Sequence, residues 1–64
     1  MIEIYYWEDD PEAERVLREL EKSGLEYEET LLDAEMPSAR PSISYNGKTY
    51  WEWDDFLRVF RAEH

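Results

Sequence analysis

A chain of 64 residues without a single cysteine has to close its core with side chains alone. A domain of that size buries only about 60% of the surface its unfolded chain exposes. No disulfide adds to the small margin such a core leaves. The sequence compensates with bulk: three Trp, five Tyr and two Phe make it 16% aromatic. Each ring removes much area from water per position, and the same residue types anchor interfaces. An apolar fraction of 42% places the chain among folded rather than disordered proteins. Its length allows one domain, residues 1–64.

Seventeen acidic residues against seven basic ones give a formal net charge of -10. That charge disfavours direct contact with nucleic acid phosphates or an anionic membrane and suits a basic protein or peptide. No apolar run is long enough to cross a bilayer, and no signal-peptide pattern opens the chain, so a soluble, cytoplasmic protein is expected. His64 is the only histidine, which leaves no zinc site and no histidine-based catalytic triad to build. The acidic run Glu8, Asp9, Asp10 and Glu12 lacks the spaced ligands and glycine of a calcium loop and reads as solvated surface. Neither a metal nor a cofactor is expected.

Residues Met1 to Trp7 alternate and read as a strand, with Ile2, Ile4 and Tyr6 on one face and Glu3, Tyr5 and Trp7 on the other. After a polar break, Asp10-Pro11 starts a helix. The Asp carboxylate accepts from the free amides of the first turn, and Pro loses nothing at a position whose N–H would be unpaired. Ala13, Val16, Leu17 and Leu20 form its apolar stripe. Glu14 with Arg18, and Arg15 with Glu19, are spaced to pair on its wet face. Gly24 ends it with a left-handed cap.

Leu25 to Leu32 reads as a second strand, charged on one side, anchored by Tyr27 and placed at a sheet edge by its glutamates. Asp33 to Arg40 is a loop with room for one helical turn. Pro41 to Tyr45, Asn46-Gly47 and Lys48 to Glu52 form a hairpin, because Asn and Gly both tolerate the positive φ of a two-residue turn. A last helix begins near Asp54, with Trp53, Phe56, Leu57 and Phe60 as its stripe. The order is β-α-β-β-β-α: an α/β fold with a four-stranded mixed sheet, its first two strands parallel and the hairpin antiparallel.

This order is similar to the thioredoxin fold, and several words resemble its glutaredoxin branch. Ile4-Tyr5, a polar turn and a capped helix resemble the family's first βα unit. Ser23-Gly24-Leu25-Glu26-Tyr27-Glu28-Glu29 looks like its helix-to-strand junction. Pro41 stands where it has a cis-proline, Tyr45-Asn46-Gly47-Lys48 looks like its hairpin, and Asp54-Asp55 matches the acidic pair opening its last helix. Three departures follow. Asp10 and Ala13 replace the Cys-x-x-Cys pair, which removes thiol chemistry. Trp51 and Glu52 replace the paired glycines that let glutathione approach the backbone. The stretch from Tyr27 to Pro41 is too short for the family's second helix, so one sheet face should be less covered. Tyr5, Trp7, Tyr50 and Trp51 are suited to shield that face or pair it with a partner.

The resemblance implies a redox-inactive glutaredoxin-like module that binds a protein or peptide, or a second copy of itself as a homodimer. Its groove would lie between the first helix start, Arg40-Pro41 and Trp51, with Tyr6, Trp7 and Asp10 as further candidates. No catalytic residue is assigned. Asp10 reads as a helix cap rather than a nucleophile's replacement. Trp53 reads as core, and Trp7 and Trp51 as partly exposed. For Arg40-Pro41 two readings stand, both of a cis-proline as in the family: one that offers backbone pairing to an extended ligand, or one that only shapes the turn. A second function, a glutathione-dependent transferase, would use the hydroxyl of Tyr5 or Tyr6. A third, an acidic decoy of nucleic acid, would need its charge on one continuous face.

Overall fold

A computed structural model describes residues 2–33, 35 and 39–63. Within them the order is β1 (Ile2–Trp7), α1 (Pro11–Ser23), β2 (Tyr27–Leu32), β3 (Ser42–Tyr45), β4 (Lys48–Tyr50) and α2 (Trp53–Glu63). Met1, His64 and most of the middle of the expected 33–40 loop lie outside the described residues.

The strands form one mixed sheet in the order β2-β1-β3-β4. β1 pairs parallel with β2 from Ile2↔Tyr27 to Trp7↔Leu32, and antiparallel with β3 from Ile2↔Tyr45 to Tyr5↔Ser42. β3 pairs antiparallel with β4 across Asn46-Gly47, whose φ values of 50° and 81° are those the hairpin turn requires.

The register fixes the two faces, because residues directly opposite point the same way. Ile2, Ile4 and Tyr6 share a face with Ile43 and Tyr45, and both helices pack there through Ala13, Val16 and Leu20 of α1 and Trp53, Phe56, Leu57 and Phe60 of α2. Phe56 stacks on Phe60 at 5.3 Å and takes the edges of Tyr45 and Tyr50 at 5.6 and 6.0 Å. The opposite face carries Glu3, Tyr5 and Trp7 of β1, Glu28, Thr30 and Leu32 of β2, Ser42 and Ser44 of β3 and Thr49 of β4. None of the described helices covers it.

Both ends of α1 follow the sequence. Asp10 Oδ1 accepts from the N–H groups of Glu12 and Ala13 at 3.0 and 3.4 Å, Pro11 is the first helical residue, and Gly24 closes the helix at φ 76°. α2 starts one residue earlier than expected. The Glu52 carbonyl accepts from the Phe56 N–H at 3.2 Å, which leaves Asp54 and Asp55 inside the first turn, where their charge favours the helix. The helices are tied start to start and end to end. Trp53 Nε1–H donates to Asp10 Oδ2 at 3.2 Å, and the Arg61 guanidinium holds the Glu19 carboxylate. They therefore lie side by side and run the same way.

Several expectations are corrected. Glu19 is held by Arg61 of α2 rather than by Arg15, and Glu14 and Arg18 form neither of the two ion pairs of the described residues, Arg61–Glu19 and Arg58–Asp55. A contact across the helix interface displaced the local one. β2 lies at an edge as expected, but its charge is not one-sided, because Glu28 and Glu29 point to opposite faces and both are exposed. Its most buried residue is Leu32 rather than Tyr27, which is half-buried against the core. Tyr50 lies on the helix face, because it is opposite Ile43 and meets Phe56.

Candidate functional site

The common direction of the helices brings both of their first turns to one end of the molecule. There a groove of about 270 Å³ is lined by Glu12 of α1, Arg40 and Pro41 ahead of β3, and Trp51, Glu52, Trp53 and Asp54 at the entry to α2. The cap at Asp10 places Glu12 in the first turn of its helix. The early end of β4 at Tyr50 releases Trp51 and Glu52 from the sheet. Three acidic residues and one basic residue line it, so the groove favours a cation.

Trp51 is 56% exposed, and the Arg40 guanidinium lies over its ring with the central carbon 5.0 Å from the centroid. In that position a cation is attracted by the electron-rich face of the indole. Arg40 takes part in neither ion pair of the described residues.

The Arg40–Trp51 pair also forms one wall of a second groove, of about 370 Å³, on the bare sheet face. Its other walls are Tyr5, Thr30, Leu32, Ala39 and Ser42. Leu32 and Ser42 are buried there, and Tyr5 is 37% exposed. A broader hollow beside Leu25, Glu26, Tyr27 and Glu28 is bounded by one stretch of chain and brings nothing together from elsewhere.

Of the six residues singled out from the sequence, Arg40, Pro41 and Trp51 come together. Asp10 stands behind the groove, its carboxylate occupied by the α1 amides and by Trp53. Tyr6 is on the helix face in the core, and Trp7 is half-buried on the bare face without lining either groove. The Arg40–Pro41 bond is trans, which corrects the cis-proline that both readings of this site assumed. Sequence reasoning did not assign Glu12, Glu52 and Asp54 to the site. Each stands within three residues of a helix start, but only the parallel run of the helices shows that those starts share one groove.

Tyr6 has its pKa raised above the ordinary 10.0, first by burial and then by the charge of Glu29. Tyr27 is raised by burial and by Glu29 and Glu21. Tyr45 is raised chiefly by the hydrogen bond its hydroxyl donates to Glu63, then by burial. A raised phenol pKa favours the protonated folded state. The stability these groups contribute is complete below the unfolded-state value near 10 and is lost as pH rises through the folded-state values. NMR ring shifts followed against pH should show the three phenols protonated beyond pH 10, with stability declining above it. A Tyr45 midpoint at or below 10 would contradict this account.

Among the described residues no group of His, Asp and Glu is arranged to hold a metal ion, and no helix is long and apolar enough to cross a membrane. No family model, no curated protein and no solved structure matches the chain.

Proposed function

We propose that the chain is a redox-inactive, glutaredoxin-like binding module that receives an extended cationic segment of another protein. The observation that carries this reading is the groove where Glu12, Glu52 and Asp54 surround Pro41 and the exposed Trp51. Three carboxylates select positive charge, and the indole offers an anchor that is already partly desolvated by its neighbours. The mixed four-stranded sheet and the capped first helix support the family resemblance, while the sheet face left without a second helix departs from it. The chemistry of the cysteine pair has no counterpart at Asp10 and Ala13.

A synthetic decapeptide of alternating lysine and glycine is a direct probe. Titrated into isotope-labelled protein, it should shift the amides of Glu12, Trp51, Glu52 and Asp54, and its affinity should fall as salt rises. Trp51→Ala should weaken binding about tenfold, in the range of a truncated interface anchor. Glu52→Gln should weaken it about two- to fivefold, as expected of an exposed charge. Shifts spread evenly over the outer face of α1, or affinity unchanged by Trp51→Ala, would refute the assignment.

A further inference from the structure

We infer that the groove on the bare sheet face seats a large apolar side chain of the same cationic segment. The partner is then an extended stretch in which a leucine-like or aromatic residue stands a few positions from Lys or Arg. This rests on the reading above for the cationic half only.

Four observations lead here. The walls formed by Tyr5, Leu32 and Ala39, with the hydroxyls of Thr30 and Ser42, make a mostly apolar concavity of about 370 Å³, within the size range of binding sites. The groove lies on the sheet face that none of the described helices covers, and Tyr5 and Thr30 keep part of its lining exposed. Arg40 and Trp51 line it and the acidic groove alike, so a chain lying in one runs into the other. The charges flanking it on the sheet are Glu3 and Glu28, two residues from Tyr5 and Thr30 on the same strands and roughly 7 Å away. These carboxylates and a net charge of -10 oppose an acidic ligand and a second copy of this chain, and favour an apolar residue flanked by cations.

The test uses the lysine-glycine decapeptide and a panel in which each glycine in turn is leucine. The best leucine peptide should bind about tenfold tighter than the parent, a conservative return for burying one such side chain. Thr30→Trp, at an exposed strand position, fills the groove and should abolish that gain, measured against the parent peptide's affinity for the same variant. Equal affinity across the panel, or a gain that survives Thr30→Trp, overturns the proposal. Indole alone, added at millimolar concentration, reads the groove independently of the acidic site. It should shift the amides of Tyr5, Thr30 and Ser42 in the native protein and not in Thr30→Trp. If the parent peptide fails to bind but indole maps to these residues, the cationic reading falls and the apolar site stands. If indole maps elsewhere, the apolar site falls. Self-association of the free chain that Thr30→Trp abolishes would assign the face to a second copy and also overturn the proposal.

Discussion

Phe56→Ala should remove much or all of the chain's stability at room temperature. Phe56 is fully buried, and its ring contacts Phe60, Tyr45 and Tyr50. Truncating a buried Phe costs about 3–5 kcal/mol, because the transfer energy is lost and a cavity remains. Single domains hold roughly 0.05–0.15 kcal/mol per residue, which for this length is about 3–10 kcal/mol in all. The substitution therefore removes much or all of the margin. Phe56→Leu keeps most of the volume and should cost about 1–2 kcal/mol. Urea unfolding followed by circular dichroism separates the two. A Phe56→Ala protein with a native-like transition midpoint would mean that the ring cluster is not the centre of the core.

Asp10→Ala should cost about 2–3 kcal/mol, more than an ordinary helix cap. One carboxylate serves two elements: Oδ1 caps α1, and Oδ2 accepts the Trp53 indole N–H. Loss of the cap costs about 1 kcal/mol. Leaving the indole N–H of a buried Trp unpaired costs about 1–2 kcal/mol more. Asp10→Asn distinguishes the two roles. Its single carbonyl oxygen can cap the helix, but its amide group then faces another donor at Trp53. An intermediate loss of about 1 kcal/mol is expected. Combining it with Trp53→Phe, which removes the donor, should be less than additive. Additive effects would show that the bond between the helix starts contributes nothing.

The sequence revealed most where structure is decided locally. Asp10-Pro11 and Gly24 bound α1 because caps and left-handed glycines act within a few residues of themselves. Asn46-Gly47 placed the hairpin for the same reason. Alternation along β1 assigned Ile2, Ile4 and Tyr6 to the inner face, and that burial also removes Tyr6 from the groove it had been assigned to. What escaped depends on distant neighbours. Glu19 is equally well spaced for Arg15, and only the approach of α2 gives it Arg61. Leu32 ends a charged edge strand, yet it is buried, and it lines one groove with Ala39 and Arg40 from farther along the chain. Arg40, Pro41 and Trp51 were legible as a group through the family resemblance. The carboxylates around them were not, since their meeting depends on two helices running in the same direction.

The strand order has a kinetic consequence. Among the described strands β2 has a single partner, β1, with paired residues 25 apart along the chain, and β3 joins β1 across 37 to 43 residues. β1 is thus the hub that both β2 and β3 must find. Only β2 finds its full set of strand neighbours within the first half of the chain, and β1 is completed only when β3 arrives. Such a chain gains its ordering energy late and all at once, so its folding rate is governed by long loop closures and its partly folded forms are poorly populated.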